Sequence, residues 1–416
     1  MDRRLPSDYN VAMKRQRSTS RGRMPRNSER LAALALHLKA SGSRLEDSFW
    51  ERELDLLLTK LLAAGNDEAV EVALDHLVTT DAAAYDLLMN RCESTAESQV
   101  ATVAGTAYDL LLLAAPILAW TRYAIPSGPL PAADIDVLRV HLGAHVLAAD
   151  ARILLAPCLY SLEQMPHSFG ETFALTKKLG AAAVGGDPPS LEFVDPRETA
   201  PLLADSRFLL AGVAVPRGGP VFRWQEQVET NTGHAGRAQC LQNWTAQGRP
   251  NLAPLLPSCG FELLLPDAFY TSLHESDHRI RPHTIRASVA FLEGALPVEA
   301  PQLRVVVAGV GEEGIDEYRI GFAVKGNDAV VHGEVWPLYG REDLPVDGGS
   351  GPDETPVDQI SALLKEAGIT DIHILPDNHF PEFCDDCGAP LFPDANGDFV
   401  HANLPEGGDS TPAHFH

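Results

Sequence analysis

LLLLAAPILAW, Leu110 to Trp120, is the longest apolar stretch in the chain. It is about half the ~20 residues that a membrane helix needs. Asp109 and Arg122 bound it, so the run reads as a buried strand and its continuation. Downstream, PAADIDVLRVHLGAH reads as a helix, ARILLAPCLYSLEQ as a strand and GETFALTKKLGAAA as another helix. A similar order follows: SRFLLAGVAVP as strand, HAGRAQCLQNW as helix, FELLLPDAFYTSLHE as strand and turn, and TIRASVAFLEGAL as helix. LLAPCLYSLE and LLLPDAFYTSLHE align with one extra residue in the second, which suggests a body of two similar halves, 96–200 and 201–342.

The hydrophobic period upstream is helical. Ser43 and Glu46 have capping-box spacing, and Leu45, Phe49, Trp50, Leu54, Leu57, Leu58 and Leu61 recur at three- and four-residue steps until Gly65. Asn66 caps the next stripe, Val70, Ala73, Leu74 and Leu77, so 28–95 is expected to form a helical layer. Beyond the central body, LRVVVAGV, EYRIGFAVKG and AVVHGEVWPLYG are separated by glycine-containing turns and predict an antiparallel meander. The polar, Gly- and Pro-rich 343–355 reads as a linker to a C-terminal segment, 356–416, that opens with an amphipathic helix from Val357 to Glu366. The fold class is therefore mixed α/β (α+β).

The length of 416 residues favours two or three folding units. The formal charge of −24 is uneven: residues 1–28 carry eight Lys/Arg against Asp2 and Asp8, a net of +6 that leaves −30 for the rest. So acidic a body disfavours phosphate backbones. The tail, 1–27, reads as basic and disordered, with Met13 and Met24 as alternative initiators; binding of nucleic acid through its arginines is the weakest of three functional readings. No apolar run follows those arginines as a secretory signal would require, and Cys92, Cys158, Cys240 and Cys259 show no framework of spacings. Both observations point to a cytoplasmic protein with reduced thiols.

GVGEEG, Gly309 to Gly314, satisfies a dinucleotide-binding pattern but runs on into a strand, and Glu312 and Glu313 would repel phosphates. It reads as a hairpin turn. The Walker A and G-x-S-x-G patterns are absent. LHESDHRIRPH, Leu273 to His283, has the spacing of a zinc peptidase, with His274 and His278 as ligands and Glu275 as base. Their helix face also carries Tyr270, Asp277 and Arg281 and is expected to be solvated, with Phe269, Leu273 and Ile280 turned to the core. Pro282 is expected to end that helix, and neither Glu293 nor His283 has a compelling spacing for a third ligand. The pair His141 and His145 reads as an ordinary helix boundary.

PEFCDDCGAPLFPDANGDFVH holds the stronger site. Cys384 and Cys387 lie two apart with Gly388 immediately after, the composition of a zinc knuckle in which backbone amides approach both sulfurs. A thioredoxin-like pair would need a following helix, which Gly388, Pro390 and Pro393 forbid. The nearest further ligands are His379 and His401, the latter brought back by the turn DANGD, though simple pairing sets His401 opposite about Pro390 to Phe392 and leaves it slightly short. His373, Asp394, His414, His416 or a second chain's cysteines are alternatives. Thiolates beside glycine favour structural zinc over catalytic zinc.

SGSRLEDSFWE, HVLAADARILLA, VAVPRGGPVFRWQE and PEFCDDCGAPLFP together resemble a bacterial family catalogued only as a domain of unknown function. The resemblance covers nearly the whole chain after the tail, implies a cytoplasmic place and brings no activity or catalytic residues; HESDH lies outside it. The expectation is a non-enzymatic protein whose zinc-stabilised C-terminal segment serves folding or contacts a protein partner, with a zinc hydrolase using Glu275 as the rival.

Overall fold

A computed structural model describes residues 24–185, 203–226, 236–312, 314–338 and 355–404. The basic tail through residue 23, the linker through residue 354, Glu313, His414 and His416 lie outside the described residues.

Four helices open the fold: α1 (Arg26–Ala40), α2 (Arg44–Ala63), α3 (Asp67–Thr80) and α4 (Ala82–Glu97). Their starts are fixed locally. The side chains of Ser43, Asn66 and Asp81 accept from the amides of Glu46, Ala69 and Ala84, each satisfying a donor that the helix leaves orphaned. Glu46 reaches back to the Gly42 amide at 3.4 Å, one residue before the position that a capping box requires. Gly65, at φ +65°, ends α2. Leu54, Leu57, Leu58 and Leu61 pack against Leu31, Val70, Leu74 and Leu88. Leu45 and Phe49, expected in that stripe, are instead 80% and 43% exposed, because they lie on the side of α2 away from Leu54, Leu58 and Leu61, while Trp50 stacks on His37 of α1.

The central sheet runs antiparallel throughout: β1 (Ser98–Val103), β2 (Thr106–Trp120), β3 (Gly128–Pro129), β4 (Arg152–Ser161), β5 (Ala204–Pro216), β6 (Gly260–Leu263) and β7 (Asp267–Ala268). The order is β1-β2-β5-β4-β3, with β6 and β7 also paired to β2. Helices cover both faces. Leu113, Ala115, Ile117 and Ala119 pack under α5 (Ala132–His145) and α7 (Arg237–Leu252), through Leu138, Leu142, Trp244 and Leu252. The alternate residues Leu112 and Ala114 meet α6 (Phe169–Gly185) and α8 (Phe269–Ala295), through Leu179 and Phe269. With no solvated face there is no polar alternation, which is why β2 is continuously apolar. Each buried leucine contributes about 1.5–3 kcal/mol of transfer free energy.

The proposed halves do not form separate units. β5 inserts between β2 and β4, and the aligned pieces differ: LLAPCLYSLE is the end of β4 and a short turn, whereas LLLPDAFYTSLHE ends one short strand, forms another and enters α8. Phe269 to Glu275 is thus helix rather than strand and turn. The reason is non-local: Glu97 Oε2 accepts the Tyr270 amide at 2.8 Å and so caps α8 from the end of α4. Nor does Pro282 end the helix, which continues to Ala295 because tertiary packing of both ends outweighs one missing backbone bond. The buried face also differs from expectation. Ser272 and Ser276 point inward and donate to Ala114 O and Ser206 Oγ, while Leu273 and Ile280 sit at the boundary.

A second sheet follows in the order β10-β9-β8-β11, from β8 (Leu303–Val310), β9 (Glu317–Val324), β10 (Val330–Pro337) and β11 (Asp371–His379). The first three form the expected antiparallel meander, and β11 lies parallel to β8. Gly309 and Val310 end β8 and Gly311 opens the connection to β9; a Cβ on Gly311 would lie 1.9 Å from Gly314 O, so the turn admits only glycine there. The C-terminal half of α8 and α9 (Pro356–Glu366) cover one face through Val289, Leu292, Ile360 and Leu364. The opposite face receives a small hairpin, β12 (Phe392–Pro393) and β13 (Phe399–Val400). Among the described residues no helix is long and apolar enough to cross a membrane.

Candidate metal centre

The site is built on the segment that leaves β11. Phe383 pairs with Pro390, and backbone bonds Cys384 N to Ala389 O (2.8 Å), Gly388 N to Cys384 O (2.8 Å) and Leu391 N to Glu382 O (3.0 Å) close a tight loop. Gly388 takes φ +74°, the left-handed conformation that side-chain-bearing residues avoid. Amides of Cys387 and Asp386 donate to the Cys384 sulfur and pull its thiol below the ordinary range. Cys387 is pushed up, first by burial and then by the neighbouring Cys384, although the Ala389 amide donates to it. Cys384 is thereby predisposed to the thiolate, and a metal would hold both sulfurs in that form.

The hairpin supplies the third donor. Asp394 accepts the amides of Asn396 (2.8 Å) and Asp398 (2.9 Å), and Gly397 at φ +87° completes the turn. Phe392 pairs with Val400 and Pro393 with Phe399, which places His401 opposite the end of the knuckle, as the simple pairing predicts. It is not short, because the loop folds back on itself and carries Cys387 toward the ring. His401 Nε2 lies 3.3 Å from Cys387 Sγ, and Nδ1 lies 2.9 Å from Ala402 O. That carbonyl can only accept, so Nδ1 carries the proton and Nε2 presents its lone pair.

One ligand atom from each of Cys384, Cys387 and His401 lies within 4.8 Å of the others, and this is the group of three or more such donors among the described residues. A tetrahedral zinc with Zn–S of about 2.3 Å and Zn–N of about 2.0 Å separates its ligand atoms by roughly 3.5–3.8 Å. Cys387 and His401 already stand within a few tenths of an ångström of that spacing, and a contraction of at most about 1 Å would bring Cys384 to it, so the three residues fit a divalent ion. His379 stands outside the group: its ring packs on Phe399 at 5.1 Å with Nε2 buried. Asp394 is occupied by its turn, and His373 is bonded to Asp371 at 2.8 Å.

The hairpin is seated by two glycines of the second sheet. A Cβ on Gly321 would lie 2.2 Å from Pro393 O, and one on Gly333 would lie 2.2 Å from the Phe392 ring. Phe392 is 3% exposed as a result.

The residues of LHESDHRIRPH are engaged elsewhere. His274 Nε2 lies 3.2 Å from Glu93, whose hydrogen bond raises the imidazole pKa and favours the protonated form that cannot bind metal. Glu275 faces Arg279 at 3.7 Å, and His278 is exposed. His283 stacks on Trp120 with centroids 4.3 Å apart, and Glu293 accepts the Ala300 amide at 2.9 Å. His141 and His145 stack on each other at 5.8 Å. A further polar cluster has no sequence motif to mark it: His332 Nε2 lies 3.1 Å from Ser288 Oγ and 2.9 Å from Glu334 Oε1. Both contacts use the same ring nitrogen, whereas a nucleophile relay needs opposite ones.

The family described as Protein of unknown function (DUF2863) matches residues 16–415, and the chain belongs to it. No curated protein and no solved structure matches the chain. The near-full-length resemblance to a family of unknown function is thereby shown.

Proposed function

We propose that Cys384, Cys387 and His401 hold a structural zinc ion, and that the chain is a non-enzymatic cytoplasmic protein serving as a scaffold or partner-binding element. The convergence of two amide-supported sulfurs and one oriented imidazole carries this reading. Soft thiolates select zinc over hard cations such as magnesium or calcium. Bound there, the ion would cross-link the knuckle to the hairpin and so fix the C-terminal segment on the second sheet. Partner contact is assigned to the same segment, where Phe380 is 72% exposed and Phe383 37% exposed beside the site.

Elemental analysis of protein purified without chelator tests the zinc. About one ion per chain is expected, lost in Cys384→Ser and retained in His274→Ala. A metal-free native protein, or loss of zinc in His274→Ala alone, refutes it. Deletion of residues 1–23 is expected to leave zinc content unchanged.

A further inference from the structure

β9 turns Tyr318, Ile320 and Phe322 toward the helices and its alternate residues toward the C-terminal segment. Among the latter is Arg319, at 0% exposure. Its Nε donates to Glu317 Oε1 at 2.9 Å, and its Nη1 donates to the carbonyl of Glu382 and, at 2.9 Å, to that of Leu391. The guanidinium lies 4.9 Å from the centre of the Phe383 ring. Glu382 and Leu391 are the two ends of the knuckle, already bonded to each other, with both cysteines between them. Burying a guanidinium is expensive unless its protons meet fixed acceptors. Arg319 Nη2 meets none among the described residues, so the knuckle carbonyls, with Glu317, carry much of its compensation.

We infer that Arg319 is a positioning residue for the metal centre, coupling ion occupancy to docking of the knuckle on the second sheet. The inference rests on the zinc reading above. Its logic is reciprocal. If docking on Arg319 holds Cys384 and Cys387 in the binding geometry, it raises metal affinity, and by linkage the ion strengthens docking by the same factor. Loss of the ion loosens the contact and begins to uncover the face that Gly321 and Gly333 leave for Pro393 and Phe392.

The test uses the full chain, as wild type and Arg319→Lys, which keeps the charge beside Glu317 but cannot fork to two carbonyls. Zinc affinity is measured by competition with a chromophoric chelator, cobalt spectra report the ligand set, and hydrogen exchange follows the amides of Cys384 and Leu391 with and without zinc. Arg319→Lys is expected to bind one ion through the same thiolates with affinity lowered about tenfold or more, in the range of outer-shell substitutions. Zinc is expected to slow exchange at both amides in the wild type and much less in the variant. Equal affinity in the two proteins overturns the inference while leaving the zinc reading intact; a wild type that takes up no added zinc overturns both. Should Arg319→Lys fail to fold, the wild type decides: exchange at Leu391 indifferent to zinc overturns the coupling, and zinc-dependent exchange supports it.

Discussion

Glu97→Gln is expected to stabilise the protein at pH 8 and leave it nearly unchanged at pH 5. Glu97 ends α4 and caps the first turn of α8 through the Tyr270 amide. Burial, with Glu93 and Asp267 nearby, pushes its carboxyl from 4.5 up to about 7, against the Tyr270 amide and His274. Between those values the native state keeps a proton that the unfolded chain has released. Stability from this group is therefore complete below about pH 4.5 and is lost as pH rises to about 7. At about 1.36 kcal/mol per pH unit, the interval bounds the effect at about 3 kcal/mol. Glu97 is only partly shielded from water, and screening reduces this to about 1–2 kcal/mol. Glutamine mimics the neutral acid and retains the acceptor for Tyr270. Urea unfolding of parent and variant at both pH values measures the difference, and the same pair in a His274→Gln background removes the titration of that imidazole, which Glu97 helps to raise. An equal gain at the two pH values, or a loss at pH 8, refutes the assignment of the cost to this carboxylate.

Without metal, Cys384 is expected to react with iodoacetamide before Cys387 at pH 7.5, since amide bonds lower the first thiol and burial raises the second; equal labelling by mass spectrometry contradicts this. Gly212→Ala is expected to cost at least about 1–3 kcal/mol or to abolish soluble expression, because its Cβ would sit 2.3 Å from the backbone of Leu179 where α6 crosses β5. Gly143→Ala in α5, with nothing within 4 Å, is expected to gain about 0.5–1 kcal/mol in the same unfolding assay. Ser43→Ala is expected to cost about 1 kcal/mol by removing the cap of α2.

What was legible in the sequence was local. Ser43, Asn66 and Gly65 mark their helix ends because cap chemistry acts within three residues, and Cys384, Cys387 and Gly388 mark a knuckle because two thiols and one turn share five positions. His401 was within reach of the same reasoning once DANGD was recognised as a turn. The misread stretches depend on distant partners. Phe269 to Glu275 is apolar enough for a strand, and the cap that favours a helix start there comes from Glu97, 173 residues earlier in the chain. Ser272 and Ser276 face inward because β2 and β5 supply acceptors, a fact absent from the hydrophobic pattern. Arg319 resembles a solvated alternate position of a half-buried strand until a segment some sixty residues later covers it. Continuous apolarity in β2 announced burial on both faces but not the partner strand, which follows only after two further helices and two further strands.

That arrangement bears on synthesis. When Trp120 leaves the ribosome, β2 can pair with β1, but its other edge waits for β5, whose first residue is Ala204. At roughly 5–20 residues per second the delay is several seconds, during which a greasy ribbon without lids is free to meet its copies on neighbouring polysomes. Slowing translation between the two strands should therefore lower soluble yield unless a holdase shields the nascent chain.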